Sequence, residues 1–160
     1  MRVAVSGHRG LTPEIEAYVT DGITRELQRL QAEGHELTGL SCLADGADQL
    51  FARAVLNVGG TLEAVIPADE YRDNLPNEAK SEYDDLLSRA VAVNRCRHRA
   101  STSEAHMDAS RLMIDEADRL VAVWDGQPAR SFGGTADVVD YAQTRGIPVV
   151  VIWPAGANRE

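Results

Sequence analysis

The chain predicts an α/β fold, a Rossmann-like three-layer α/β/α sandwich with a mostly parallel central sheet. Three observations predict it. Runs of Val, Leu and Ile alternate with amphipathic stretches of helical period, the pattern of successive βα units. The apolar runs are nearly continuous, so helices are expected on both faces of the sheet. Small residues also recur between a strand and the helix after it, where folds of this class place their ligands.

The first strand is centred on Val3-Ala4-Val5, within residues 2–6, and runs into the loop Ser6-Gly7-His8-Arg9-Gly10. Thr12 suits an N-cap and Pro13 the first helical position. Ile15, Val19, Ile23, Leu27 and Leu30 then recur at helical spacing until Gly34 stops the helix. Residues 38–43 read as the second strand, Ala44-Asp45-Gly46-Ala47-Asp48 as its loop, and a helix follows to about Asn57. Gly59-Gly60 marks a turn, residues 62–66 the third strand, and Pro67 its end. Residues 68–77 read as a surface loop, 78–89 as a helix, 90–94 as a short strand and 95–103 as a polar, basic loop. Residues 104–117 form a helix and 120–124 a strand. The loop 125–132 leads to Gly133-Gly134-Thr135, which opens a last helix to about Arg145. Gly146 stops it, and residues 147–153 are the final strand. One domain over residues 1–154 is expected, with 155–160 as a flexible tail.

Composition bounds the function. The 160 residues are 44% hydrophobic and 26% charged, with a net charge of -9. Such an acidic balance argues against broad contact with a phosphate backbone, so no nucleic acid is expected as partner. Arg95, Arg97, His98 and Arg99 form a local basic cluster, read either as a solvated loop or as a site for a small anion. No leader precedes the first strand and no run is long enough to span a bilayer, which points to a cytoplasmic protein without membrane contact. Cys42 lies in an apolar run and reads as core. Cys96 lies among basic residues, which would lower its pKa. Neither cysteine nor the acidic pairs have metal-ligand spacing, so no metal and no cofactor are expected.

Three strand-to-helix loops carry the candidate chemistry. In the first, Ser6 and Gly7 admit a ligand to the backbone, Arg9 can fork onto a phosphate, and His8 can donate to a phosphate or stack on a ring. The helix after it offers free N–H groups and a positive dipole end. In the second, Asp45 has two readings, a helix cap or a partner for a ribose hydroxyl. Asp48 shares the latter, and Gly46 keeps the backbone accessible. In the third, Asp125 and Gly126 lead to Gly133, Gly134 and Thr135, a phosphate-sized concavity of backbone amides with an added hydroxyl. Asp137 in the first turn reads as a capping charge or as part of the site. Trp124 flanks a base or sits at the rim of the core. His106 and Arg111 default to the helix surface.

In order and context, these loops resemble the SLOG superfamily, the Rossmann-like group that includes LOG-type phosphoribohydrolases and DprA-like proteins. The likeness rests on residues 3–9, 44–48 and 117–126, together with Gly133-Gly134-Thr135, and covers nearly the whole chain. It implies a nucleotide or nucleotide-sugar ligand at the strand ends, and a homodimer. LOG-type enzymes carry a proline-glycine-glycine loop followed by glycine-threonine, two intervening residues and a catalytic glutamate. Here Trp124 and Asp125 occupy the proline and first glycine, Val138 occupies the glutamate, and the family's catalytic arginine falls on Ala109. The resemblance therefore implies a branch without the LOG machinery. The first expectation is a nucleotide-binding module acting as sensor or carrier. The alternative is an enzyme cleaving the N-glycosidic bond of a nucleotide. Asp125 or Asp137 would then face the developing oxocarbenium ion, with Arg9 or Arg111 on the phosphate.

Overall fold

A computed structural model describes residues 1–158. Its six strands are β1 (Arg2–Gly7), β2 (Thr38–Ser41), β3 (Thr61–Ile66), β4 (Ala92–Arg95), β5 (Arg119–Val123) and β6 (Val149–Val151). Its helices are α1 (Pro13–Ala32), α2 (Ala47–Asn57), α3 (Asn77–Arg89), α4 (Ser103–Glu116) and α5 (Thr135–Thr144). All strand pairs are parallel, in the order β4-β3-β2-β1-β5-β6. The chain moves outward from β1 to β4, crosses back, and continues outward on the other side from β5. Strand order thus reverses between β1 and β5, the place where open α/β sheets leave a crevice.

Alternate residues of each strand feed two cores. Val3, Val5, Val121 and Val123 face α1 and α2, where Ile15, Val19, Ile23, Leu27, Leu30, Phe51 and Val55 meet them. Ala4, Leu40, Leu120 and Ala122 belong to the cluster that holds Met107, Met113 and Ile114 of α4 and Val138, Val139 and Ala142 of α5. The helix starts follow capping chemistry. The Thr12 hydroxyl accepts from the Ile15 amide (3.3 Å), with Pro13 at the first position, and Thr102 accepts from Ala105 (3.1 Å).

Several boundaries differ from the sequence reading. Strand β2 stops at Ser41, because Leu43 adopts a left-handed backbone (φ 62°) that turns the chain toward α2. Strand β4 starts two residues later than expected and runs to Arg95. Strand β6 is only three residues long, since the Ile147 amide still bonds to Ala142 as part of the α5 exit and Pro148 follows. Residues 68–77 are not simply surface. A 3-10 turn (Arg72–Asn74) there buries Tyr71 and Leu75 against the α4-side cluster. Residues 155–158 fold back on β6, with the Trp153 indole donating to the Ala157 carbonyl (3.0 Å). The rest of the expected tail, residues 159–160, lies outside the described residues. No helix among the described residues is long and apolar enough to cross a membrane.

Candidate functional site

A cavity of about 260 Å³ opens at the β1/β5 switch. Its walls come from the end of β1 and the β1–α1 loop, the β2–α2 loop and first turn of α2, the segment after β3, α4 from Ser103 to Met113 and the glycine-rich entry to α5. The expected residues Ser6, Gly7, Arg9, Asp48, Gly133, Gly134 and Thr135 all line it.

The first loop must be glycine at position 7 for a packing reason. A Cβ there would collide with Ala47 Cβ and stand 2.6 Å from Val123 Cβ, so the loop lies directly on α2 and β5. Gly46 serves the same closeness from the other side. It has φ 81°, and a Cβ on it would stand 2.6 Å from the His8 carbonyl. The Ala47 amide donates to that carbonyl (3.2 Å). Gly46 is therefore outside the cavity lining, holding two loops together beneath it.

Arg9 projects into the cavity while Asp45 holds it, with Nε at 2.8 Å and Nη2 at 2.6 Å from Oδ1. Burial is the largest single effect and works against the guanidinium charge, but the Asp45 hydrogen bond and the charges of Asp45, Tyr71 and Asp48 together outweigh it, and the pKa is raised overall. Asp45 is thus an anchor for Arg9 at the cavity edge. Asp48 lines the cavity itself. Its Oδ2 accepts from the Ala44 amide (3.3 Å), and desolvation pushes its carboxyl up to about 7, against that bond and the nearby Arg9.

At the other wall, Gly133 donates its amide to Asp137 Oδ2 (2.9 Å), so Asp137 closes the loop entering α5. The amides of Thr135 and Ala136, at the start of the ten-residue α5, find no acceptor among the described residues. The Thr135 hydroxyl is buried beside them at the cavity wall. Unsatisfied N–H groups at a helix start, with the helix dipole behind them, form an anion-accepting surface.

Four candidates stand elsewhere. His8 is buried, packed edge-on to Trp153, and its Nε2 accepts from the Asp125 amide (3.0 Å) while lying 3.2 Å from Asp125 Oδ1. An accepting Nε2 places the proton of the neutral ring on Nδ1. Asp125 Oδ1 also accepts from the Gln127 amide (3.0 Å). His8 and Asp125 thus couple the β1–α1 loop to the β5–α5 loop from outside the main cavity, and His8 reaches only a shallower neighbouring hollow shared with Arg9 and Arg130. Gly126 is exposed in the turn after Asp125. Trp124 donates its indole N–H to the Gln127 carbonyl (2.8 Å) and packs against the core.

The structure adds residues that the sequence left unmarked, and it moves His106, expected on the helix surface, to the cavity wall. Tyr71, only 4% exposed, lines the cavity next to His106, their rings edge-on at 5.6 Å. His106 is held by Ser101 (2.8 Å), and burial, then Arg9, lowers its pKa. Ser110, Ser131 and the half-exposed Phe132 complete the wall. Arg111 stays outside, 5.9 Å from both the Phe132 and Tyr141 ring centres. A helical spacing of His106 and Ser110 gave no sign that this face looks into a cavity. The Tyr71 and Leu75 pair inside a polar loop was the available signal.

The basic cluster lies apart from the cavity lining. His98 pairs with Asp108 (2.6 Å), and Arg99 stands 3.9 Å from Glu70. The expected lowering of the Cys96 pKa is reversed. Burial raises it, and Asp108 adds to the effect, because a thiolate gains nothing from cations that point to solvent. Cys42 is buried against Met113, its thiol pushed well up by burial. No cluster of three or more metal-ligating side chains exists among the described residues.

No protein-family model matches the chain, and no curated protein does. Solved structures do. DNA processing protein A from Streptococcus pneumoniae aligns with a TM-score of 0.72 at 20% identity, over 98% of this chain and 52% of that one. DNA processing protein A from Helicobacter pylori, solved for its single-stranded DNA binding mode, aligns with a TM-score of 0.69 at 17% identity, over 94% and 64%. A structural-genomics target protein aligns with a TM-score of 0.58 at 19% identity, over 92% and 71%. The chain thus spans about half the length of the S. pneumoniae protein. These likenesses correct one expectation. A fold of this kind serves a single-stranded DNA binding protein, so the net charge of -9 is no ground for excluding nucleic acid. Summed charge does not describe a local concavity carrying Arg9 and free amides. Strand order, the all-parallel sheet and these structural neighbours together show a Rossmann-like α/β fold shared with the DNA processing proteins.

Proposed function

We propose that the cavity at the β1/β5 switch binds a nucleotide or nucleotide-derived small molecule. A phosphate would sit on Arg9 and the Thr135 and Ala136 amides, with the remainder of the ligand against Tyr71, His106 and Phe132. The observation that carries this reading is the convergence of a guanidinium, free helix-start amides and aromatic walls on one cavity at the strand-order reversal.

A panel of nucleoside monophosphates, NAD, ADP-ribose and a short oligo-dT tests the proposal by thermal shift, with free base monitored in parallel. Arg9→Ala is expected to weaken phosphate-bearing ligands by about 10- to 100-fold, the loss of a charged hydrogen bond of roughly 1.5–3 kcal/mol. An unchanged affinity in Arg9→Ala would exclude this phosphate position. The oligo-dT arm addresses a second reading, a stretch of single-stranded nucleic acid, which the likeness to the H. pylori protein favours. The hydrolase alternative has less support, because Asp125 and Asp137 hold loop amides outside the cavity. Release of base lost in Asp125→Asn or Asp137→Asn would restore it. The homodimer implied by the family resemblance belongs to the same proposal, and light scattering at micromolar concentration tests it.

A further inference from the structure

Among the oxygen-bearing side chains of the cavity wall, Tyr71, Ser110 and Asp48 keep hydrogen-bonding capacity that no described residue uses. The Tyr71 hydroxyl has no partner among the described residues, although the residue is 96% buried, and its oxygen is not sealed from the cavity that the ring lines. The Ser110 hydroxyl is in the same position. Asp48 uses Oδ2 for the Ala44 amide, while Oδ1 has no partner. These oxygens open to the cavity and are not sealed in the core, so a ligand there meets hydrogen-bonding groups that no neighbouring side chain occupies.

The charge arrangement around Asp48 is equally specific. Arg9 is the cation in range, and it is already committed to Asp45 at 2.6 Å. The other groups facing this end are Asp45 from the same loop, Cys42 from the end of β2, Tyr71 from the segment after β3 and His106 from α4. Burial keeps the Cys42 thiol and the Tyr71 phenol neutral well above physiological pH, and it keeps His106 neutral to lower pH than usual. Asp48 is thus the group here whose charge is poorly compensated, and it lies within electrostatic range of the guanidinium that would hold a phosphate.

We propose that Asp48 serves this cavity as a neutral hydrogen-bond donor, so that a phosphate-bearing ligand binds with Asp48 protonated and is released as that proton is lost. The proposal rests on the nucleotide reading of the cavity given above. A carboxylate at this position would repel the anion that Arg9 attracts. A carboxylic acid instead offers an O–H in the cavity that Tyr71 and Ser110 also line, giving the ligand's oxygens three neutral donors besides the cation. Desolvation already brings the carboxyl to about 7 in the empty cavity, so an anion on Arg9 pushes proton release to higher pH still.

Calorimetry of AMP binding between pH 6 and 9, with buffers of different ionisation enthalpy at pH 8, tests the coupling. AMP is essentially dianionic at pH 8 and has no phosphate proton to release, and comparison with Asp48→Asn separates uptake by Asp48 from uptake by the phosphate. The expected results are uptake of up to about one proton per AMP at pH 8 and an affinity falling by about tenfold per pH unit at the alkaline end. In Asp48→Asn, which keeps a neutral donor, both effects are expected to vanish while AMP still binds. Affinity in the wild type that is independent of pH, or proton release on binding, overturns the proposal. A 13C NMR titration of the Asp48 carboxyl in the free wild-type protein guards against a misfolded variant. A midpoint in the ordinary carboxylate range near 4 overturns the proposal whatever AMP does. If Asp48 titrates near neutrality and no nucleotide binds at pH 6, the nucleotide reading falls and takes this coupling with it. If AMP binds without proton uptake, the coupling alone falls.

Discussion

Arg9 of the β1–α1 loop and Asp48 of the first turn of α2 line one cavity, yet their neighbours give them opposite behaviour. Arg9 gains a fixed partner in Asp45, which both orients it and secures its charge. Asp48 gains a single backbone amide, too little to offset desolvation. The consequence for stability has a definite sign. The folded chain holds the Asp48 proton up to about pH 7, whereas the unfolded chain releases it near 3.8. Between those values the folded state binds more protons, so the contribution present at acid pH is lost as pH rises through the folded pKa. Asp48→Asn is therefore expected to stabilise the protein at pH 8 by about 1–3 kcal/mol and to change it little at pH 4, measured by denaturant melts at both values. The Arg2–Glu63 pair works the other way. It spans β1 and β3 with bonds of 3.0 and 2.9 Å, and the guanidinium holds the Glu63 carboxyl below its usual range. Glu63→Gln is expected to lose about 1 kcal/mol at pH 7, shrinking as pH falls and the wild-type carboxyl protonates.

At the level of elements, the strand-to-helix loops are positioned by close approach of backbone. Gly7 rests on Ala47 and Val123, and Gly46 rests on the carbonyl of His8. The two loops also share the Ala47–His8 hydrogen bond. Gly7→Ala must push α2 or β5 away, and an expected loss of about 1–3 kcal/mol in urea unfolding follows from overpacking. Because the same shift displaces Arg9, the variant is expected to bind nucleotide less well even at temperatures where it is folded. The helices were the most legible elements in the sequence. Ile15, Val19, Ile23, Leu27 and Leu30 make a stripe whose period fixes both the type and the buried face of α1. The strand ends were less legible. Residues 42–43 are as apolar as a strand, but Leu43 leaves the extended region, and only the demands of the turn into α2 decide that. Likewise Tyr71 and Leu75 sit between polar residues, and their burial depends on α4 lying above them.

Across the whole molecule, the cavity joins five separate segments, from residue 5 to residue 135. A ligand bridging them stabilises only the folded chain. At a concentration of 100 times its Kd, the gain is about 2.7 kcal/mol, and the melting temperature should rise further as ligand is added. A saturating nucleotide that leaves the melting temperature unchanged would contradict binding at this place.

The sequence by itself determined the order of elements, the βα alternation and the loops that precede each helix. Hydrophobic periodicity and turn chemistry are local properties of the chain, so they can be read without coordinates. It also pointed to Ser6, Gly7, Arg9, Asp48, Gly133, Gly134 and Thr135, because small residues before a helix are a local signal too. Only the tertiary structure decided which neighbours these residues have. Burial turned His8 and Asp125 into a tie between loops, turned Asp45 into the anchor of Arg9, and brought Tyr71, His106 and Ser110 to the cavity wall. The physical reason is that desolvation and partner geometry depend on residues distant in the chain, and the reversal of strand order is what places those residues side by side.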